Sequence, residues 1–304
     1  MRQWLWTAAD GSTTDLSEWS AGTYVLDEGT SGELAPEYEF ATQSFAGVDG
    51  EDLQQINVGS RSTTLGMDLV ASDGDELRQR VRHLAHVLRP RLGQGTLRAV
   101  GEDGTERSLR CYYRKGLETG TYRVTRYRCA LEFWSPRPWW IGETLHHSYG
   151  LAAPAPFFPI PPITLAATTI EGEATIDLGD TDAPTYPRWL VRGPGTQLTL
   201  RNTATVGATT TTSELVLTPP GGFGDGQWVR IDTRPTRQAV NVVTVDVDER
   251  TVLTVGANLF GSLGTDPALW PLVDGTNIVE ALLTGAGAAS RIDLEADRLY
   301  SGAR

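Results

Sequence analysis

The chain has 304 residues, enough for two domains, and its 39% of hydrophobic residues and 33 glycines predict a folded globular protein rather than a disordered or collagen-like one. Its net charge of −12 disfavours the basic phosphate-binding surface of a nucleic-acid clamp. Two cysteines are too few for a disulfide framework, and no apolar run reaches the roughly 20 residues of a membrane span, so we expect a soluble protein without membrane insertion.

Charge changes sign along the first half of the chain. Residues 1–60 hold one basic and eleven acidic residues, a net charge of −10. Residues 61–142 hold fifteen basic and nine acidic residues, a net charge of +6. Two interpretations stay open: the segments are two solvated faces of one domain, or they are complementary patches that meet between neighbouring copies in an assembly.

The segment that begins at Asp73 is predicted to be a helix. Its apolar residues recur at spacings of four, three and four, which is typical of one helix face. These residues are Leu77, Val81, Leu84 and Leu88. Asp73 and Glu76 form an acidic version of the capping box at the start, and Pro90 ends the helix. The pattern indicates an amphipathic helix that packs on its own domain.

Strands are predicted after this helix. Residues 96–100 and 105–113 should form a hairpin, because Asp103-Gly104 supplies the positive φ angles of a tight reversal. Residues 121–134 alternate with period two, which predicts one strand with an inward and an outward face. We therefore expect Cys111 and Cys129 to lie in one core as small hydrophobic residues rather than in a disulfide or a redox pair.

A domain boundary is predicted near Trp140. The segment SPRPWWIGE (135–143) is followed by the proline-dense stretch APAPFFPIPP (153–162). Proline lacks a backbone donor and fixes φ, so this stretch should be an extended linker over about 143–165. The predicted domains are therefore 1–142 and 143–304.

The second domain is predicted to be all β. Short strand candidates alternate there with Gly, Pro and Asp turns at intervals of roughly 8–12 residues, which is typical of a two-sheet β-sandwich of jelly-roll type. No repeat of fixed period supports a solenoid or a propeller. The predicted fold class is mainly β: a β-rich first domain with one amphipathic helix, followed by a β-sandwich.

The sequence contains no local signature of catalysis, such as a G-x-S-x-G elbow, an H-E-x-x-H helix or a Walker A loop. His83 and His86 lie three residues apart, but no third cysteine or histidine stands nearby to complete a metal site. Two carboxylates of the second domain could be paired as in a glycosidase, so a hydrolase stays an alternative. The prediction is a non-enzymatic protein with no catalytic, cofactor-binding or metal-binding residues and no cofactor.

Nine tryptophans allow two interpretations, because aromatic rings bind sugars as well as fill cores. Core or interface packing is favoured for five that lie beside strand or boundary signals: Trp139, Trp140, Trp189, Trp228 and Trp270.

Four short motifs, taken in order, resemble the distal tail protein family of long-tailed, siphovirus-type bacteriophages. The first domain ends in FWSPRPWW (133–140), which is similar to the aromatic-Pro-aromatic ending of that family's first domain. The second domain contains DLGDTDAPTYPRWLVRGPG (177–195), QWVRIDTRP (227–235) and WPLVDGTNIV (270–279), which are similar to segments of the family's galectin-like sandwich. Asp274 is a departure, since the family often has proline before this glycine.

The resemblance implies a structural protein of the virion, located at the distal end of the tail and assembled in the host cytoplasm. Family members form a hexameric ring that connects the tail tube to the tail tip or baseplate hub and lets DNA pass. The implied partners are other copies of the chain, the tail tube protein, the tape measure protein and the tail-tip or baseplate hub proteins. A host-surface glycan is a further candidate, and no sequence-specific nucleic-acid partner is implied.

Closure of such a ring needs a heterologous interface, in which one patch meets a different patch on the next copy. The segments of opposite charge supply six candidate interface residues: Arg78, Arg80, Arg82, Asp49, Glu51 and Asp52. The alternative function is a carbohydrate-binding β-sandwich module of a phage or of a secreted enzyme.

Overall fold

The structure is a computed structural model that describes residues 2–47, 49–151, 168–179, 181–246, 251–265 and 268–303. The chain divides into two compact units: Met1–Glu143 with Leu299–Arg304, and Thr144–Arg298. The mainly β fold class predicted from the sequence is confirmed. Among the described residues, no helix combines the length and apolar character needed to cross a membrane.

The first unit combines antiparallel strands with one α-helix. Its strands are β1 (Gln3–Thr7), β2 (Thr13–Asp15), β3 (Thr23–Ser31), β4 (Tyr38–Gln43), β5 (Asp52–Val58), β6 (Arg61–Val70), β7 (Gly95–Val100), β8 (Glu106–Lys115), β9 (Thr121–Arg123), β10 (Arg126–Ser135) and the start of β11 (Trp140–Gly150). Helix α1 spans Gly74–Val87, and short 3-10 helices cover Trp19–Ala21, Pro90–Leu92 and Leu117–Thr119.

Helix α1 forms where the sequence predicts it. The Asp73 side chain accepts hydrogen bonds from the backbone N–H groups of Asp75 and Glu76, which satisfies two donors of the first turn. In a capping box the Glu76 carboxylate would accept from the backbone N–H of Asp73. Here it accepts from the backbone N–H and the hydroxyl of Ser72. Of the predicted apolar stripe, three residues are buried and Val81 is half-buried.

The helix packs on a core shared by two sheets that meet at β8. In one sheet β2, β1, β7 and β8 are neighbours, and in the other β3, β6, β10 and the end of β8 are neighbours. Trp6 donates its indole N–H to the carbonyl of Val87 at 3.0 Å, which satisfies a free acceptor at the helix end. Cys111 and Cys129 are buried in this core with free thiols, as predicted.

The prediction of a single strand over residues 121–134 is wrong in one respect. The chain reverses at Val124-Thr125, so that β9 and β10 form a hairpin in which Arg123 faces Arg126. The turn contains no glycine or asparagine, which is why the alternating pattern concealed it. Beyond the turn the predicted faces of β10 are confirmed, with Tyr127 and Phe133 buried and Arg128 exposed.

The end of the chain belongs to the first unit. Arg61 is buried and donates to the carbonyl of Ser301, and Arg107 donates to the carbonyl of Gly302 at 2.7 Å. The Arg107 guanidinium also lies 3.8 Å from the ring centroid of Tyr300. These contacts attach the last residues to β6 and β8, an arrangement for which the sequence offers no local signal.

The second unit is built of strands, as predicted. They are the end of β11, β12 (Thr169–Asp177), β13 (Arg188–Arg192), β14 (Gln197–Val206), β15 (Thr209–Leu217), β16 (Trp228–Asp232), β17 (Ala239–Val245), β18 (Val252–Asn258), β19 (Thr276–Thr284) and most of β20 (Arg291–Tyr300), with a 3-10 helix at Phe260–Ser262. One sheet has the order β12-β19-β14-β15, and the other contains β18-β17-β16-β13-β20. Their apolar faces enclose one core, as the predicted sandwich requires.

Strand β11 begins in the first unit and ends in the second, and so overlaps the predicted linker over residues 143–150. The proline-dense stretch 153–162 lies outside the described residues. The domain boundary at 142/143 remains a prediction.

Candidate assembly surfaces

The three candidate arginines lie on α1, but their surroundings differ. Arg78 is paired with Asp75, which lowers the pKa of that carboxyl and raises the pKa of the guanidinium. Nη2 of Arg80 lies 2.5 Å from Oε1 of Glu76, and Nη1 donates to the carbonyl of Val70 at 3.1 Å. Arg82 is exposed and forms no ion pair with any described residue, so it is the freest of the three for contact with another molecule.

The pKa of Glu76 is lowered to about 2, first by the two hydrogen bonds from Ser72 and then by Arg80. This carboxylate therefore ties the helix start to the preceding loop and to the helix body. Arg80 contributes to the same local network, so its charge is partly used within the chain.

The three candidate acids lie at the far end of the hairpin β4–β5. Asp49, Glu51 and Asp52 are all exposed, and Glu51 accepts from the hydroxyl of Ser44 at 3.5 Å. The structure thus groups the basic candidates on one helix and the acidic candidates at one hairpin end. Within the described part of the chain no ion pair joins the two groups. The proposed contact is between two copies, and the interface assignment stays a prediction.

The same hairpin carries an apolar side that the sequence analysis missed. Strands β4 and β5 pair only with each other, and Tyr38 lies opposite Val58, Phe40 opposite Ile56 and Thr42 opposite Leu53. Residues opposite each other point to the same side of a ribbon, and a bulge after Ala41 keeps Leu53 there. We call this side the hairpin face, made of Tyr38, Phe40, Leu53 and Ile56. The alternation in YEFATQ (38–43) was the signal for it.

A second exposed surface surrounds the turn between β9 and β10. Val124 at the turn is 81% exposed and Tyr122 is 50% exposed. The turn is anchored, because Thr125 accepts a hydrogen bond from the backbone of Ala71 at 2.9 Å. We call these residues the turn patch: Arg123, Arg126 and Arg128 point to one side of the β9–β10 ribbon, Tyr122 lies opposite Tyr127 and points to the other side, and Val124 lies at the turn.

Asp68 organises the basic side of the turn patch. It is buried, and its two carboxylate oxygens share the N–H of Arg126 Nε at 2.8 Å each. One of them also accepts from Nη2 of Arg126, and Nη2 of Arg128 lies 3.7 Å away. The hydrogen bonds from Arg126 lower the pKa of Asp68, so the carboxylate is charged at neutral pH and fixes the guanidinium.

The motif residues of the second unit hold turns rather than a ligand site. The side chain of the buried Asn277 accepts from the backbone of Val273 at 3.0 Å and donates to the carbonyls of Val273 and Gly275 at 2.8 and 3.2 Å. Gly275 has a φ of +104°, so the turn after Asp274 is built on glycine and on this asparagine. Thr233 of the Ile-Asp-Thr segment donates to the carbonyl of Pro187 at 2.7 Å.

The outer side of the sheet β12-β19-β14-β15 is polar. A groove of about 480 Å³ is lined there by Glu171, Glu173, Arg201 and Glu280, and Arg201 pairs with Glu214 at 2.8 Å and Glu280 at 3.1 Å. None of these four strands contains an aromatic residue. The sheet therefore lacks the aromatic platform on which sugars usually stack.

The tryptophans pack as the favoured interpretation predicted. Trp140, Trp189, Trp228 and Trp270 are buried, and Trp139 is half-buried.

Burial raises the pKa of both cysteines to about 12, so neither is a reactive thiolate at neutral pH. Among the described residues no group of three His, Cys, Asp or Glu side chains is arranged to hold a metal ion.

Residues 22–122, which include both the hairpin face and the start of the turn patch, match the family model of the phage tail protein RIFT-related domain. The matched segment lies within the first unit. This match confirms the resemblance to siphophage tail proteins that the sequence motifs predicted. No curated protein sequence matches the chain.

Solved structures with a similar fold come from phage tails. The Dit protein of phage SPP1, described as a paradigm of the hub adsorption apparatus in phages that infect Gram-positive bacteria, is 14% identical, with 99% of each chain covered and a TM-score of 0.61. Chains of the phage p2 baseplate in its activated conformation, with Ca and with Sr, are 11% and 12% identical, with 98% of each chain covered and a TM-score of 0.50. The chain therefore shares the fold of the Dit protein of phage SPP1 along nearly its whole length.

Proposed function

We propose that this chain is a structural component of the distal end of a phage tail. Six copies form a ring that joins the tail tube to the tail tip or baseplate hub and leaves an opening for DNA. The fold shared with the Dit protein of phage SPP1 over 99% of both chains is the observation that carries the proposal. The net charge of −12 fits this role, since a lumen that bound phosphates would retard DNA.

The mass and symmetry of the purified chain test the ring. Light scattering should give six times the mass of one chain, and negative-stain images should show end views with six-fold symmetry. A chain that stays monomeric over the whole accessible concentration range would contradict the proposal. A ring of another size would retain the structural role and correct the number of copies.

We propose that Arg78, Arg80 and Arg82 on one copy, and Asp49, Glu51 and Asp52 on the next, contribute to this ring. Replacing the three arginines by glutamate should weaken assembly, and more so at low salt. Arg82→Glu is the cleaner variant, because reversing Arg78 or Arg80 also places like charges beside Asp75 or Glu76. Unchanged assembly of Arg82→Glu and of the triple variant would remove these arginines from the interface.

We further propose that the chain has no enzymatic activity and is not primarily a sugar-binding module. Its motif residues are engaged in turns, as for Asn277, and the outer sheet face offers no aromatic platform. Titration of the purified chain with host-wall polysaccharide should release little or no heat. Saturable binding, or release of reducing sugar, would overturn this part of the proposal and leave the ring untouched.

A further inference from the structure

The hairpin β4–β5 stands apart from the other strands of the first unit. Its two strands pair only with each other, and every residue of both strands except Val58 is exposed. An isolated two-stranded ribbon is marginally stable in water, so the direction of the hairpin depends on what holds its two ends. We call residues 38–58 the arm, and we call the flanking residues 32–37 and 59–61 its root.

Residues 300–303 hold both sides of this root. On the side that leads into the arm, the backbone N–H of Ala303 donates to the carbonyl of Glu33 at 2.8 Å. On the side that leads out of the arm, Nη2 of Arg61 donates to the carbonyl of Ser301. One short segment thus connects the chain before the arm to the chain after it. We call residues 300–303 the clasp.

The clasp fits closely against the first unit. Ala303 is buried and belongs to the core of that unit. A Cβ atom added at Gly302 would lie 2.9 Å from the carbonyl oxygen of Leu34, so the backbones approach this closely only because the residue is glycine. Arg107 donates to the carbonyl of Gly302 at 2.7 Å, and its guanidinium lies over the ring of Tyr300. These contacts keep the clasp beside the root.

Arg61 is buried without a carboxylate partner. It is 1% exposed, and its Nε and Nη1 have no hydrogen-bond partner among the described residues. Burial lowers the pKa of the guanidinium to about 10. A buried charge bonded to a neutral carbonyl contributes little net stability compared with an apolar side chain of similar size. Packing alone therefore does not account for an arginine at this position, whereas a link between the root and the clasp does.

We propose that the clasp sets the direction of the arm, and that the arm becomes mobile relative to the first unit when the clasp opens. Because both sides of the root are bound to one segment, the arm is ordered before any partner meets it, which lowers the entropy cost of binding through the arm. The inference does not depend on the proposed ring, since the direction of the arm is a property of a single chain.

Distances between two spin labels measure the direction of the arm. Gln55→Cys places one label on β5, and Ala85→Cys places the other on α1; both positions are exposed. The native Cys111 and Cys129 are buried with a pKa of about 12, so they should stay unlabelled. Doubly labelled chains diluted in an excess of unlabelled chain report distances within one copy, whether the protein is monomeric or assembled.

Two variants open the clasp from opposite sides. Arg61→Met removes the link to Ser301 and keeps an apolar side chain in the buried position, and Gly302→Val places side-chain atoms against the carbonyl of Leu34. Each should widen the distribution of label-to-label distances by at least about twofold, because the root then opens locally. Arg201→Gln, which replaces an exposed arginine of the second unit, is the matched control and should leave the distribution unchanged.

A narrow wild-type distribution that broadens in both clasp variants, with melting curves that show a folded first unit, would support the proposal. Equally narrow distributions in all chains would show that the pairing of β3 with β6 directs the arm by itself, and a broad wild-type distribution would show that the arm has no fixed direction. Either result would overturn the clasp. If Gly302→Val does not fold, Arg61→Met and Arg61→Gln provide the test with the same measurement. A chain that forms no ring, but whose arm is freed in the clasp variants, would overturn the ring and retain the clasp.

Discussion

The hairpins β4–β5 and β14–β15 are both long antiparallel ribbons with one apolar side, but they differ in what covers that side. In β14–β15, Leu198, Leu200 and Leu217 are buried in the core of the sandwich. In β4–β5, Phe40 and Ile56 are exposed. An alternating pattern thus identifies an apolar face, whereas the position of the ribbon in the fold decides whether the rest of the chain covers that face.

The outward sides of the two ribbons also differ. On β14–β15, Arg201 is paired with carboxylates of both neighbouring strands, and Thr203 faces Thr212 with 3.3 Å between the hydroxyl oxygens. The residues of β4–β5 that face away from the hairpin face include Glu39 and Asp52, and no basic residue lies on the ribbon. On β14–β15 the arginine is paired within its sheet, whereas β4–β5 carries negative charge without a basic residue of its own.

The largest difference in unfolding free energy is expected when an aspartate replaces one apolar residue of each ribbon, since the residue is buried in β14–β15 and exposed in β4–β5. Leu200→Asp places an unpaired charge in the sandwich core and should cost more than about 4 kcal/mol of the unfolding free energy. Phe40→Asp, on the exposed face, should change it by less than about 1 kcal/mol. Thermal melting of both variants measures this. Equal losses would show that the hairpin face is buried within one copy.

A smaller loss of stability is expected from replacing Asn277, which closes the turn before β19. Strand β19 pairs with β14. Asn277→Ala removes the partners of the Val273 N–H and carbonyl in a buried position, which should cost about 1–3 kcal/mol per group left unpaired. Asn277→Asp keeps the acceptor but places a negative charge beside the carbonyls of Val273 and Gly275, so it should cost more than Asn277→Ala. Melting curves unchanged in Asn277→Ala would show that water replaces both bonds.

The stability of the sheet that contains β6, the strand that follows β5 in the chain, should depend on pH through Asp68. The folded pKa of Asp68 is lowered by Arg126, so its contribution to stability is present above the unfolded pKa of about 4 and is lost as the pH falls through the folded value. Asp68→Asn should therefore be less stable than the wild type at pH 7, and the difference should shrink below about pH 4. A difference independent of pH would contradict the ion-pair explanation.

The smallest effect is expected from Arg201 on the outward side of β14. Its ion pairs with Glu214 and Glu280 are solvent-exposed, and such pairs contribute little to stability. Arg201→Gln should leave the melting temperature within experimental scatter at physiological salt. A clear loss would mean that the outer face of the sandwich is more ordered than a solvated surface.

Several features could be predicted from the sequence because they depend on local patterns. Helix α1 follows from the spacing of its leucines and from Asp73 at its start, and the strands of the sandwich follow from their period-two runs between turn residues. The burial of Cys111 and Cys129 follows from the inward faces of β8 and β10. The resemblance to distal tail proteins rested on the order of four short motifs and is confirmed by the match over residues 22–122.

Other features depended on the tertiary structure. The turn at Val124-Thr125 interrupts an alternation that continues on both sides of it, so only strand pairing revealed it. The return of the chain end to Arg61 and Arg107 joins residues 240 and 195 positions apart, for which no local pattern exists. The hairpin face was visible as alternation in the sequence, but its exposure was not, because periodicity records which residues share a side and the fold decides what lies against that side.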